Sequence, residues 1–277
     1  MYTKTKDYSM YLAGEWATGE SEARMEATSP ATGEQIGTVP EGTRADVERA
    51  IAAANEAWSG WANLSAFERA AAMIRIAEII EERRDDLAET LTLDQGKPLA
   101  AEAYDEVDEL VAYFEMASAD VTRLEGAMPP SVDADKRVML YRVPRGVVGV
   151  ISPWNWPYTM PAELIAPALA CGNAVVWAPA SSTSVCAVKL AECIVDAGLP
   201  SGLFNMITGP GPVVGDDDQL ALALDDAAVL DHVVDVEPEQ RMRPQRLMNV
   251  VEQRHVGRVV EAARLQAVAE HRLGVGH

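Results

Sequence analysis

Three features of this 277-residue sequence could do chemistry. The sharpest is Asn155, which sits in the turn Pro153-Trp154-Asn155-Trp156-Pro157. Prolines at both ends restrict the backbone, and an amide donor held in such a turn can stabilise a developing oxyanion. The same amide could instead close the backbone of its own turn, and the residue types alone leave both readings open.

The second feature is the glycine-rich run ITGPGPVVG, with glycines at 209, 211 and 215. Their spacing is not G-x-G-x-x-G, and no Gly-Lys-Ser/Thr ending follows, so neither common phosphate-loop pattern is present. A flexible turn and an anion contact through inward-facing amides stand level here. The third is the set of cysteines, Cys171, Cys186 and Cys193. Cys186 and Cys193 lie about two helical turns apart in an apolar helical pattern, which suits burial as small hydrophobes. No cysteine has metal-ligand spacing. The four histidines, His232, His255, His271 and His277, form no recognisable ligand pair, so no metal site is expected.

The elements that must position these residues follow from periodicity. YLAGEW reads as a short strand and turn, and SPATGEQIGTVPEG as a brief extended piece between turns. Thr43, with Asp46 three residues later, starts a first helix whose stripe is Val47, Ala50, Ile51 and Ala54. Ser65 and Glu68 form a capping box for a second, which runs through Ala72, Ile76, Ile79 and Ile80 to Leu87 and Leu91 and stops near Gly96 and Pro98. A third helix is expected from about Leu99 to Leu124. Its Phe114 and Met116, with Trp58 and Trp61 near the end of the first helix, read as core residues.

Strands follow. KRVMLYRVP alternates like an edge or half-buried strand, and RGVVGVIS is a β-branched run suited to a buried parallel strand. Then come the helix AELIAPALACG, the strand GNAVVWAPA, the helix TSVCAVKLAECIVDAG, and a third strand in LPSGLFNMITGPG. This alternation implies an α/β fold with a parallel sheet, on which the amino-terminal helices pack. Ligands in such sheets bind beyond the carboxyl ends of the strands, where PWNWP and ITGPGPVVG both fall. Residues 218–277 differ: no tyrosine, tryptophan or phenylalanine follows Phe204, and an acidic helical or poorly ordered tail is expected.

Composition excludes several roles. A net charge of −20, from 43 acidic and 23 basic residues, opposes approach to nucleic acid or anionic lipid. No run reaches the length of a membrane span, and MYTKTKDYSMYLAGEW lacks the apolar segment of a secretory signal, so a cytoplasmic protein is expected.

From about Tyr11 to Asp217 the chain resembles the aldehyde dehydrogenase superfamily. The resemblance is carried, in family order, by YLAGEW, SPATGEQIGTVPEG, LTLDQGKPLAAEA, GVVGVISPWNWPYTMP, APALACGNAVVWAPA and AGLPSGLFNMITGPGPVVGD. It implies a Rossmann-like domain binding NAD or NADP, and oxidation of a small-molecule aldehyde to a carboxylic acid. In that family a cysteine thiolate attacks the aldehyde, an Asn amide and a backbone N–H hold the oxyanion, and a glutamate activates water. By resemblance Asn155 is the oxyanion residue. Ile151, Ser152, Pro153 and Trp154 lie against the cofactor, Ala178, Pro179 and Ser181 occupy further cofactor positions, and Gly209 and Gly215 belong to a neighbouring loop.

The sequence departs from the family pattern as well. Ala178 stands where a lysine contacts the cofactor ribose, and Ser181 where a glutamate is frequent. Glu163-Leu164 replaces a common Trp-Lys pair. The motifs carrying the nucleophilic cysteine and the catalytic glutamate are missing, and Cys171 falls at a small-residue position. The resemblance therefore implies a partial cofactor-binding domain over 1–217, an apparently incomplete sheet with exposed apolar surface, and a chain inactive alone. A non-catalytic nucleotide-binding or assembly module, a homo-oligomer, association with a full-length homologue, and a truncated product without function remain open alternatives.

Overall fold

The computed structural model describes residues 6–215, so the expected tail over 218–277 lies outside the described residues. Its centre is the alternation read from the sequence. Strand β6 (Val147–Ser152) leads through helix α5 (Thr159–Ala170) to β7 (Ala174–Pro179), and α6 (Ser184–Asp196) leads on to β8 (Phe204–Met206). The three strands pair in parallel, with Val147 opposite Ala174 and Val175 opposite Phe204. All six positions of β7 are buried, as its β-branched and aromatic run requires. β6, in contrast, lies at the edge of the described sheet, with Ile151 exposed rather than in the fully buried setting expected.

The sheet is mixed rather than wholly parallel. A hairpin of β2 (Met10–Leu12) and β3 (Glu15–Ala17) adds antiparallel strands beside β8, giving the order β3-β2-β8-β7-β6. Its two-residue turn places Ala13 at φ 53° and Gly14 at φ 91°, the left-handed pair that matches strand twist. The Ala13 N–H donates to Asn205 Oδ1 at 2.8 Å, which anchors the turn to β8. The extended piece expected in SPATGEQIGTVPEG belongs to a second sheet, in which β5 (Gln35–Pro40) lies between β1 (Lys6–Asp7) and β4 (Arg24–Thr28).

The helical layer begins with α1 (Arg44–Ala62), and the Thr43 and Asp46 capping box is present. Val47, Ala50, Ile51 and Ala54 are buried, and the Trp61 indole donates to the Leu169 carbonyl at 2.7 Å, tying α1 to the end of α5. The Ser65 and Glu68 box opens α2 (Ala66–Glu82). The single long helix expected from there breaks at Arg83, where the backbone has φ −103° and ψ 15°. A separate α3 (Arg84–Asp94) follows. Ion pairs flank the break: Arg83 bonds to Asp196 at the end of α6, and Arg84 to Asp108 of α4 (Tyr104–Val121).

A π-helical turn, Leu99–Ala103, precedes α4, which ends at Val121 rather than Leu124. Phe114 is buried as expected, but Met116 faces solvent. KRVMLYRVP does not form a strand. Residues 136–143 are exposed and irregular, touched by one isolated bridge between Ala127 and Leu140. An alternating run becomes a strand only when a neighbour takes its ladder hydrogen bonds, and no described strand does so.

Two buried carboxylates fix the parallel unit to the helical layer. Neither α5 nor α6 has a side-chain cap of its own. Glu106 of α4, fully buried, accepts from the Tyr158 N–H at 2.9 Å and the Thr159 N–H at 3.4 Å at the start of α5. Asp94 at the end of α3 accepts from the Cys186 N–H at 2.9 Å in the first turn of α6. These contacts satisfy amides that a helix start leaves without partners, and they place negative charge at the positive end of the helix dipole.

Burial pushes the Asp94 carboxyl up to about 6, against the opposing pull of the Cys186 and Val185 amides. A carboxyl with a raised folded value favours the protonated folded state, so its contribution to stability is complete below its ordinary value of 3.8 and is lost as pH rises to about 6. Urea unfolding of wild type and Asp94→Asn across pH 4 to 7 checks this. The stability difference between the two should move by about 2 kcal/mol in the variant's favour between pH 4 and 6.5, then level off; a difference flat over that range would contradict the assignment.

Candidate functional site

The register of β6 and β7 builds the site. Ile151 lies opposite Ala178 and Ser152 opposite Pro179, so the two strands end level and their carboxyl ends open onto one groove of about 220 Å³. Three chain segments form its walls. Ile151, Ser152 and Trp154 come from β6 and the turn after it, Ala178, Pro179 and Ser181 from β7 and its 3-10 turn, and Gly215 from the loop after β8. All seven were singled out in the sequence. Gly211, one of the glycines of the ITGPGPVVG run, and Ala180, Ser182 and Val214 complete the lining.

The other predicted residues stand apart from the groove walls. Gly209 supports the loop from behind: a Cβ there would lie 2.6 Å from Val214 Cγ1 and 3.1 Å from the Gly42 amide nitrogen, so only glycine fits. Pro153 and Asn155 are exposed in the turn beyond the groove. Among the described residues Asn155 has no hydrogen-bond partner, so no bond carries the reading in which its amide closes its own turn. Its amide remains available to a ligand.

Among the described residues the groove walls carry no charged side chain. Their polar groups are hydroxyls and backbone. Ser152 Oγ, buried, accepts from the Trp177 indole at 2.9 Å, which fixes the oxygen and leaves its own proton to donate. Ala178, at the position where the resemblance implies a lysine, is buried and offers neither charge nor donor.

Two residues that sequence reasoning passed over lie directly under the turn. Lys97 is 7% exposed, and its Nζ is 2.6 Å from Glu106 Oε2 and 3.4 Å from the centre of the Trp156 ring. The available signal was Gly96. Its φ of 95° is a left-handed conformation that glycine adopts readily, and the Lys97 that follows it is buried.

The cysteines do not enter the groove. Cys186 and Cys193 are buried in α6, as expected from their spacing, and Cys171 is half-buried at the end of α5. Burial pushes all three thiols up, Cys193 to about 12 and Cys186 well above the ordinary thiol value. Arg69 and Arg142 pull Cys171 partly back. None is held as the thiolate that nucleophilic attack requires. Among the described residues no group of His, Cys, Asp and Glu side chains is arranged to hold a metal ion, and no helix is long and apolar enough to cross a membrane.

Comparison with known proteins decides the family. The aldehyde dehydrogenase family profile matches residues 16–219. The chain belongs to the aldehyde dehydrogenase family. It is 40% identical to the α-ketoglutaric semialdehyde dehydrogenase of Bacillus subtilis over 214 residues, which are 77% of this chain and 44% of that protein. It is 39% identical to the NADP-dependent succinate-semialdehyde dehydrogenase of Escherichia coli, over 74% of this chain and 42% of the relative.

Among solved structures, lactaldehyde dehydrogenase from Escherichia coli superposes with a TM-score of 0.75 at 32% identity, covering 79% of this chain and 45% of that one. The 3,6-anhydro-L-galactose dehydrogenase, solved with NAP bound, gives 0.73 at 32% identity, covering 78% and 44%. The chain thus spans less than half the length of the aldehyde dehydrogenases it matches.

A thiol titration checks the cysteine environments. In the folded protein at pH 7.5, an aromatic disulfide reagent should leave Cys186 and Cys193 untouched and react slowly with Cys171, while urea should release all three thiols. A thiol reacting within seconds in the folded chain would show an activated cysteine where burial argues for none.

Proposed function

We propose that this chain supplies the cofactor-binding part of a cytoplasmic NAD(P)-dependent aldehyde oxidation, and that by itself it binds the dinucleotide without oxidising aldehydes. One observation carries the reading: three segments far apart in sequence bring seven resemblance-marked residues to one groove at the carboxyl ends of two parallel strands. That is where open α/β sheets hold nucleotides.

The residues present fit such a ligand. Gly211 and Gly215 leave room for close approach to the backbone, Ile151 and Val214 offer apolar surface, and Ser152, Ser181 and Ser182 offer hydroxyls to ribose or phosphate oxygens. The bound dinucleotide would supply the hydride acceptor. Asn155, projecting beyond the groove, would donate its amide hydrogens to an aldehyde oxygen as negative charge develops there. Trp154, on the groove wall, would limit water on that side.

The described residues offer no thiolate for the covalent step, which is the reason for proposing binding without turnover. The substrate class proposed for the whole reaction is a small aldehyde. Association with another copy or a full-length family member is a second reading. It is favoured by the edge of β6, unpaired among the described residues, and by exposed Leu140, Tyr141 and Val143.

Calorimetry of the folded chain with NAD+ and NADP+, followed by absorbance assays with a panel of aldehydes, tests the proposal. Saturable binding without NAD(P)H formation is expected. Ala178→Lys should tighten binding about tenfold, the effect of one charge-assisted hydrogen bond of ~1.4 kcal/mol. Folded protein that binds neither dinucleotide would overturn the binding claim, and turnover that follows the chain through purification would overturn the inactivity claim.

A further inference from the structure

The turn that presents Asn155 is held at both ends, and the hold on its carboxyl side comes from charged residues buried beneath it. On the amino side, Ser152 ends β6, paired to β7 and bonded to the Trp177 indole. On the carboxyl side, Glu106 divides its two oxygens: Oε1 accepts from the Tyr158 and Thr159 amides, and Oε2 meets Lys97 Nζ at 2.6 Å. The same ammonium lies 3.4 Å from the centre of the Trp156 ring, a cation–π contact. Only Pro153, Trp154 and Asn155 hang between the two anchors.

Two considerations separate this arrangement from an ordinary core ion pair. A buried pair is a poor source of stability, because well-packed apolar residues of similar volume do as well. The value of such a pair lies in the geometry it fixes. Trp156 is also 39% exposed, so burial alone does not hold its ring; the cation beside it does. The backbone is irregular on both sides of the pair: Gly96, at φ 95°, directly precedes Lys97, and the π-helical turn at Leu99–Ala103 precedes the helix that carries Glu106.

We infer that Lys97 and Glu106 are positioning residues for the oxyanion turn: through the Trp156 ring and the first amides of α5 they set where the Asn155 amide stands. The inference rests on the proposed reading of this turn as part of the dinucleotide and aldehyde site. Its test does not depend on that reading being right.

The full 277-residue chain would be labelled with 5-fluorotryptophan and its fluorine spectrum assigned by single Trp→Phe changes. Lys97→Met alone leaves a buried carboxylate without its partner and is at risk of not folding, so the principal variant is the double change Lys97→Met with Glu106→Gln, which removes both charges together. We expect the Trp154 and Trp156 signals to shift and broaden while those of Trp61 and Trp177, buried in the core, keep their positions. Lys97→Arg, which keeps a cation over the ring, should leave the Trp156 signal near its wild-type place. Dinucleotide affinity of the double variant should fall about tenfold.

Turn signals that stay in place in the double variant would overturn the inference. So would a common movement of all four tryptophan signals, which would mark the pair as merely structural. If the wild-type chain binds no dinucleotide, the proposed function fails, yet the fluorine spectra still decide whether Lys97 and Glu106 hold the turn.

Discussion

Every helix that starts beside a sheet leaves backbone amides pointing at whatever lies before it, and in this protein that requirement links the two halves of the described fold. The two helices of the parallel unit lack caps of their own and take carboxylates from the helical layer instead, Glu106 for α5 and Asp94 for α6. Each cap is buried and joins residues far apart in sequence. Shifting α3 or α4 would therefore uncap a helix that starts at the groove, so the layer that looks like scaffolding sets the entrance to the site.

The electrostatic character of the groove differs from that of the chain. The sequence carries a net charge of −20, whereas the described walls offer hydroxyls, backbone, the Trp154 indole and apolar carbon. Among the described residues no wall side chain supplies a counter-charge, so selectivity there comes from shape and from hydrogen-bond direction. The buried lysine nearby does not change this, because its charge is already engaged by Glu106.

What could be read from the sequence was what is local. The capping boxes at Thr43 and Ser65 involve residues three apart, and both are present. The strand and helix alternation from Val147 to Met206 is written in β-branched runs and helical stripes, and it gave the groove's position because two strands of equal length end together. The break at Arg83 was not legible, because no breaker residue marks it and the ion pairs that flank it reach residues far away in sequence. KRVMLYRVP misled for the opposite reason: its pattern is that of a strand, but a strand needs a neighbour. The Lys97 and Glu106 pair escaped notice because charge and position alone suggest two solvated residues, one in the break between helices and one on the helix that follows. Only the left-handed glycine before Lys97 hints otherwise.

The order of strands also gives the main sheet a direction. At one end the tight Ala13-Gly14 turn folds β2 back into β3, a strand of three residues with exposed Glu15 and Trp16 that offers little to a newcomer. At the other, β6 presents six residues of extended backbone ending at Ser152. A polypeptide that docked there in parallel would finish level with the groove and bring its own following loop to the mouth. The end of the described sheet that is open to lengthening is therefore also the end that borders the groove.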